Sequence, residues 1–132
     1  MIAVIDVCGV VEILLQKEKA GKFSEVLRNV THIITPDLYV SELTNTFWKL
    51  YTAKIQTKDK CIQLIKDGIE FINKFIDSKN IWEEAFFEGI NNNHSIYDML
   101  YMVSARRNNA VLVTNDSQLA KICKKKHVEV CF

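Results

Sequence analysis

The chain has 132 residues, of which 48% are apolar and 25% are charged, and its net charge is +1. These values are typical of one soluble globular domain, which we expect to span residues 1–132, and they exclude a disordered chain. The near-neutral balance neither requires nor excludes a nucleic-acid partner, because local patches of charge matter more than the total.

The cysteines and the N-terminus narrow the class of protein further. Cys8, Cys61, Cys123 and Cys131 contain no C-x-x-C pair, and the three histidines form no H-x-x-x-H pattern, so a zinc site has little support. The start MIAVID lacks the features of a signal peptide, and no stretch approaches the ~20 apolar residues that cross a bilayer. We therefore expect a cytoplasmic protein with free thiols and no membrane contact.

Short apolar runs alternate with helical spacing in the first part of the chain. Ile2–Ile5 predicts a buried parallel strand, and a helix should follow it, because the next apolar residues have helical spacing: Val10, Val11, Leu14 and Leu15. Residues 22–28 predict another helix, and residues 32–35 predict a second strand.

Two long helices are predicted next. Thr35-Pro36-Asp37 has the features of a helix start, with an N-cap, a proline at the first position and an acid in the first turn. This helix should reach about Ala53. A second helix is predicted over 57–75, because isoleucines recur at a spacing of three to four: Ile62, Ile65, Ile69, Ile72 and Ile76.

The last third of the chain continues the alternation. Helices are predicted over 82–90 and from Ser95 to Asn108, a strand over 110–113, a helix beginning at Asp116 and a final strand over 128–132. Because strands and helices alternate throughout, we expect an α/β fold whose mainly parallel sheet is covered by helices on both faces.

Four acidic residues fall where such a sheet forms sites. Asp6 and Asp116 each follow a predicted strand, and the carboxyl ends of parallel strands share one edge. Glu42 and Asp98 lie near the starts of helices that enter the same region. Converging carboxylates repel one another, so we expect the cluster to hold magnesium or manganese. The predicted chemistry is phosphodiester hydrolysis.

Three of these acids also have a simpler interpretation. Asp98 stands three residues after a serine, as in a capping box, and Asp116 suits a helix N-terminus. Glu42 shares a polar helix face with Asn45 and Lys49, and such faces are usually only solvated. Asp6 is the exception, because a charge at the end of an apolar strand is costly to bury without a partner.

Together, the acids stand in four motifs that resemble those of the PIN-domain nucleases, especially the VapC-like toxins of prokaryotic toxin–antitoxin pairs. In chain order, the motifs are an apolar strand ending in Asp (2–6), E-x-x-N (42–45), Y-D-x-x-Y-x-x-x-A (97–105), and a strand followed by T-x-D-x-x-L (111–119). They occur in the family's order and cover nearly the whole chain.

The resemblance implies a three-layer α/β/α sandwich and a magnesium- or manganese-dependent endoribonuclease acting on RNA. It also implies a homodimer and an inhibitory antitoxin protein. The implied metal-binding and catalytic residues, followed by two supporting ones, are Asp6, Glu42, Asp98 and Asp116, then Asn45 and Thr114. One departure concerns Cys8, which stands where the family usually has Ser, Thr or Asn. A thiol is a weak donor and acceptor, so we expect lower activity or an altered metal preference.

Several other side chains have two interpretations each. Arg106, Arg107 and the lysines at 121 and 124–126 suit either RNA phosphates or a solvated helix end. Tyr97 and Tyr101 suit either base stacking or helix packing. The aromatic group of Trp82, Phe86 and Phe87 suits either a partner interface or the core.

Two rival functions remain to be weighed. The first is a non-catalytic PIN-fold module that binds RNA or protein, against which the four acids argue. The second is a phosphate-receiving or phosphatase-like domain, which needs an acidic pair or a D-x-D motif at the first strand. Val7 and Cys8 follow Asp6, so neither pattern is met.

Overall fold

The computed structural model describes residues 1–132 and contains five strands and seven α-helices. The strands are β1 (Ile2–Ile5), β2 (His32–Pro36), β3 (Lys74–Ile76), β4 (Val111–Val113) and β5 (Val130–Cys131). The helices are α1 (Val7–Leu14), α2 (Ala20–Arg28), α3 (Leu38–Thr52), α4 (Lys58–Glu70), α5 (Trp82–Asn92), α6 (Ile96–Arg107) and α7 (Ser117–Lys125). A short 3₁₀ helix, Ser78–Asn80, precedes α5.

The sheet is entirely parallel, with the strand order β3-β2-β1-β4-β5. β1 lies at its centre, where Val4 is paired with Ile34 of β2 and with Leu112 of β4. Helices connect each strand to the next along the chain, as parallel pairing requires. The carboxyl ends of β2, β1 and β4 therefore lie side by side at one edge.

Helices cover both faces of the sheet. The side chains of β1 alternate, so that Ala3 and Ile5 belong to one buried cluster and Val4 to the other. The first cluster takes its apolar residues from α1 to α4 and the second from α5 to α7. The predicted three-layer α/β/α fold is confirmed. None of the helices combines the length and apolar composition that crossing a membrane demands.

The helix predicted over 57–75 is wrong at its C-terminal end. α4 ends at Glu70, and Lys74–Ile76 forms the edge strand β3. The turn between them is held to β2 by Asn73, whose backbone N–H donates to Ile33 O at 2.8 Å and whose Oδ1 accepts from Ile33 N at 2.7 Å. The isoleucine spacing continued past the helix end, so periodicity alone did not locate the boundary.

The helix start predicted at Thr35-Pro36-Asp37 is also wrong. Thr35 and Pro36 end β2, and α3 begins two residues later. The Thr35 hydroxyl donates to Ile5 O at 2.9 Å, and the Asp37 carboxylate accepts from Ser78 N at 3.2 Å instead of capping α3. Pairing with the sheet overrides the local capping preference here. The other predicted elements are confirmed, with the last strand shortened from 128–132 to Val130–Cys131.

Candidate active site

Asp6 lies at the centre of the carboxyl edge, directly after β1. Its side chain caps α1, accepting from Gly9 N at 2.8 Å, and it also accepts from the hydroxyl of Thr114, which follows β4. Residue Asp6 is only 5% exposed. The position of Asp6 after β1 places its carboxylate at the edge of the sheet, and hydrogen bonds from α1 and from the residue after β4 fix its orientation.

Burial has a clear electrostatic consequence for Asp6. It raises the pKa of this carboxyl from 3.8 to about 6, although hydrogen bonds from Thr114, Gly9 and Cys8 work in the opposite direction. The negative charge of Asp98 raises this pKa further. The ionised form of Asp6 is therefore held at a cost that a cation in the pocket would offset.

Gly9 is required by the close approach of α1 to the end of β4. A Cβ at this position would lie 2.8 Å from the backbone oxygen of Val113 and 3.1 Å from Asp6 Oδ1. Such a contact with backbone is shorter than van der Waals packing allows. The absence of a side chain at Gly9 thus lets Asp6 cap the helix.

Glu42 enters the site from α3 and is held by Tyr101 of α6. The Tyr101 hydroxyl donates to Glu42 Oε1 at 2.6 Å, and Tyr101 is 1% exposed. Burial and the charge of Glu42 raise the pKa of Tyr101 well above its ordinary value, so it stays a donor. Burial also raises the pKa of Glu42, and Tyr101 partly opposes this. Glu42 is therefore not merely part of a solvated polar face.

Asp98 is held by a histidine that the sequence motifs did not single out. His94 Nε2 lies 2.7 Å from Asp98 Oδ2, and both side chains are mostly buried. The turn before α6 fixes this histidine: Asn93 has a φ of 47°, and His94 N donates to Gly89 O at 3.1 Å. The spacing of four residues between His94 and Asp98 was a usable signal for this contact.

Of the two acids for which a capping role was considered, only Asp116 caps its helix. Ser95 caps α6, accepting from Tyr97 N at 3.2 Å, but Asp98 turns to His94 and does not complete a capping box. Asp116 does cap α7, since its Oδ1 accepts from Gln118 N and Leu119 N at 2.9 and 3.0 Å. That cap occupies one of the two oxygens of Asp116.

Thr114 connects two of the acids. Its hydroxyl donates to Asp6 Oδ2 and accepts from Asp116 N at 3.0 Å, and the residue is fully buried. Because one hydroxyl contacts both groups, the position of Asp116 is tied to that of Asp6. Thr114 thus contacts both acids, and its supporting role stays a prediction.

All four acids line one pocket of about 280 Å³ at the carboxyl edge. The structure thus brings Asp6, Glu42, Asp98 and Asp116 together from four separate elements. The predicted supporting residue Asn45 lines the same pocket. The remaining lining residues are Val7, Cys8, Thr46, Lys49 and Tyr101.

The carboxylates suit a hard cation by their chemistry, but they do not form a finished metal cage. No group of three or more His, Cys, Asp and Glu side chains is arranged to hold a metal ion. Three of the acids nevertheless keep one oxygen without a hydrogen bond: Glu42 Oε2, Asp98 Oδ1 and Asp116 Oδ2. Oxygen donors of this kind are the ligands of magnesium and manganese, so the donor set fits such an ion.

Cys8 takes part in the hydrogen bonding of the site despite being a thiol. Its Sγ donates to Asp6 Oδ1 at 3.2 Å and accepts from Asn115 N at 3.3 Å. Burial and the charge of Asp6 raise the pKa of the Cys8 thiol to about 12. The thiol is therefore protonated at neutral pH, which favours a donor role over a reactive nucleophile.

None of the basic residues at 106–107, 121 and 124–126 lines the acidic pocket, and three of them form ion pairs elsewhere. Arg106 pairs with Glu84 and Glu88, Arg107 pairs with Glu84, and Lys126 lies 3.7 Å from Glu88. These three cations stabilise the packing of α5, α6 and α7. The lysines without an ion pair in this region are Lys121, Lys124 and Lys125.

The two tyrosines near Asp98 have different environments. Tyr101 is buried against Glu42, as described above, whereas Tyr97 is 65% exposed. Packing is therefore the correct interpretation for Tyr101. Of the aromatic group on α5, Trp82, Phe86 and Phe87 are all exposed, so they do not belong to the core.

Comparison with known proteins defines the class to which this fold and pocket belong. Residues 3–125 match the PIN domain family, so the chain belongs to that family, and the resemblance found in the four motifs is confirmed. Within the family, the chain is similar to the VapC-like ribonucleases. A curated relative is Ribonuclease VapC3 of Pyrobaculum aerophilum, 22% identical over 120 residues that cover 89% of this chain and 92% of that protein.

Two solved structures share the fold. PAE2754 from Pyrobaculum aerophilum has 17% sequence identity and a TM-score of 0.70, covering 92% of this chain and 87% of its own. VapBC2 from Rickettsia felis, solved bound to a DNA fragment from its promoter, has 18% identity and a TM-score of 0.69. That match covers 99% of this chain and 98% of the other.

Proposed function

We propose that this chain is a divalent-metal-dependent endoribonuclease that hydrolyses RNA phosphodiester bonds, and that it is the toxin of a toxin–antitoxin pair. The observation that carries the proposal is the pocket, where four carboxylates meet and none forms an ion pair with lysine or arginine. The relative named Ribonuclease VapC3 supports RNA as the substrate.

Magnesium or manganese is the proposed cofactor, held by the catalytic residues Asp6, Glu42, Asp98 and Asp116. When bound in such a site, either ion supplies Lewis-acid chemistry, polarising the phosphate and making water more acidic. The unbonded oxygens of Glu42, Asp98 and Asp116 support this assignment.

The neighbouring side chains keep the acids in position. Tyr101 and His94 each bind one carboxylate oxygen, which leaves the other oxygen of Glu42 or Asp98 available. Asn45 supplies a further polar group from α3, one helical turn from Glu42. Partners that fix the ligands in this way typically change metal affinity by about 10- to 100-fold.

A non-catalytic RNA- or protein-binding role is the second candidate. The one observation that favours it is that no three side chains already form a metal cage. The four acids nevertheless line one pocket and three of them keep a free carboxylate oxygen, which favours the nuclease over this role.

The test is cleavage of single-stranded cellular RNA with manganese, with magnesium or with a chelator. Asp6→Asn and Asp98→Asn should each lower the cleavage rate by about a hundredfold or more, because each removes a negative oxygen from the metal site. Asp59→Asn changes an exposed acid of α4 outside the pocket and is the matched control. Its rate should equal that of the wild type, and the chelator should abolish cleavage by both.

Equal cleavage by the wild type and both pocket variants would contradict the proposed site. If the wild type bound RNA tightly but never cleaved it with either metal, the non-catalytic role would be favoured instead.

We also propose that residues 1–132 work as one nuclease domain in the cytoplasm, as a homodimer inhibited by an antitoxin protein. The exposed side chains of Trp82, Phe86 and Ile90, spaced by four along α5, support a protein partner. Light scattering should give twice the chain mass of 15.2 kDa. A mass of one chain at all concentrations would contradict the homodimer.

A further inference from the structure

A second cavity of about 200 Å³ adjoins the acidic pocket. The two share Val7, Cys8 and Thr46 as lining residues, so they lie side by side, and together they are called the groove below. The second cavity contains none of the four site carboxylates. A linear polymer whose reacting bond lies in the acidic pocket would therefore extend into this neighbouring compartment.

One lysine lines each compartment of the groove. Lys49 of α3 lines the acidic pocket, and Lys17, in the turn between α1 and α2, lines the second cavity. Both side chains are exposed, and neither forms an ion pair with a carboxylate. They differ in this respect from Arg106 and Lys126, whose charges are already paired.

The second cavity has a fixed polar wall. Glu12 is buried, its Oε2 accepts from Lys19 N at 3.1 Å, and its Oε1 accepts from Asn115 Nδ2 at 3.2 Å. Both oxygens of this carboxylate are thus engaged by neighbouring donors. The turn that carries Lys17 is held by a bond from its own N–H to Glu12 O at 2.8 Å.

A polyanion that approaches four carboxylates needs positive charge nearby, and the proposed metal ion serves only the phosphate that reacts. Phosphates on either side of that one repel the carboxylates without compensation, unless a cation contacts them. Lys49 and Lys17 are the only lysine or arginine side chains that line the two cavities, one in each.

We propose that this groove is the path of the RNA strand, and that Lys49 and Lys17, one in each cavity, each bind a phosphate that flanks the bond to be cleaved. This inference rests on the proposed ribonuclease function and adds two subsites to it. The ligand class is a single RNA strand that runs across both compartments.

The test measures binding of a fluorescently labelled single-stranded RNA by anisotropy at several salt concentrations. Calcium replaces the catalytic ion, and a gel confirms that the RNA stays intact. Lys17→Gln and Lys49→Gln should each weaken binding about fivefold or more and lower the slope of log affinity against log salt by about 0.7. Lys58→Gln, an exposed lysine outside both cavities, is the matched control and should leave both quantities unchanged.

Cleavage kinetics provide a second readout that loss of structure would not reproduce. With manganese, both groove variants should raise KM and leave kcat nearly unchanged, because the lysines bind substrate and do not touch the reacting bond. Lys124→Gln tests the rival surface on α7 and should behave like Lys58→Gln.

Two outcomes separate this inference from the function on which it rests. If the wild type cleaves RNA and both groove variants match Lys58→Gln in affinity and slope, the path is overturned and the nuclease stands. A loss of affinity in only one of the two lysine variants would contradict a path that crosses both cavities. If the wild type neither binds nor cleaves RNA, both proposals fail together.

Discussion

The molecule contains two groups of acidic side chains, and only one of them is paired with arginine and lysine. Between α5, α6 and α7, Glu84 and Glu88 contact Arg106, Arg107 and Lys126. Although burial raises the pKa of Glu88, the hydrogen bond and charge of Arg106 hold it below its ordinary value. The negative charge of this group is therefore paired with positive side chains of the folded chain itself.

The group at the carboxyl edge of the sheet has no lysine or arginine paired with its carboxylates. Asp6 and Glu42 have raised pKa values, mainly because they are buried, and the charge of Asp98 adds to both. The partners of Asp6 and Glu42 are hydroxyl, thiol and backbone N–H groups, which carry no full positive charge. The ion-pair partner of Asp98 is a histidine, His94, and no lysine or arginine pairs with any of the four acids. The contrast distinguishes acids whose charge lysine and arginine side chains neutralise within the fold from acids that the proposed metal ion would neutralise.

The sharpest test of this contrast is the stability of Asp6→Asn in the presence of a chelator. A raised pKa means that the folded state binds the proton more tightly than the unfolded state does. Stability therefore falls as the pH rises from 3.8 to about 6, and the full penalty persists above that range. Asparagine avoids this penalty of about 3 kcal/mol at pH 7.5.

Urea denaturation at pH 4, 5, 6 and 7.5 gives the free energy of unfolding for the wild type and Asp6→Asn. The variant should be more stable at pH 7.5, and the difference should vanish near pH 4. A variant that is equally stable or less stable at pH 7.5 would contradict the uncompensated charge.

Glu88→Gln should have the opposite effect on stability and lower the free energy of unfolding. It removes the charge that Arg106 and Lys126 contact in a nearly buried position, so the unfolding free energy at neutral pH should fall by about 1 to 2 kcal/mol. Because the pKa of Glu88 is lowered, the effect should decline as the pH falls below the ordinary range of a glutamate and disappear only below the lowered pKa of the folded state. Cleavage of RNA at a temperature well below unfolding should stay within about twofold of the wild-type rate.

The smallest expected effect concerns His94, which contacts Asp98 but is not one of the proposed metal ligands. His94→Ala should weaken manganese binding about tenfold, as loss of an orienting partner typically does. His94→Gln keeps a donor at this position and should recover part of the affinity. Calorimetry measures both, and an unchanged affinity in His94→Ala would show that Asp98 is positioned without its neighbour.

Sequence alone predicted the layers and most of the elements, because apolar periodicity and strand–helix alternation are strong local signals. It failed at β3, where Lys74–Ile76 continues the isoleucine spacing of α4 but pairs with β2. It failed again at Thr35, whose capping pattern is overridden by a bond to Ile5 O across the sheet. Both failures come from contacts between segments distant in the chain.

The site could be predicted to a similar extent. The convergence of the four acids was predicted because parallel topology brings strand ends to one edge, and the structure places them around one pocket; their metal-binding role stays a prediction. Their partners were harder to find, since the contact of Tyr101 with Glu42 joins residues far apart in sequence. The contact of His94 could have been predicted from its spacing of four residues from Asp98. The position of Lys17 beside the second cavity could be seen only in the structure.

A manganese titration by calorimetry tests most directly whether the pocket carboxylates together bind a hard cation. The wild type should bind manganese, and the double variant Asp6→Asn with Asp98→Asn should lose about a hundredfold or more in affinity. The matched double variant, Glu84→Gln with Glu88→Gln, should bind as the wild type does. Binding that is absent from the wild type, or that persists unchanged in the pocket variant, would contradict the account.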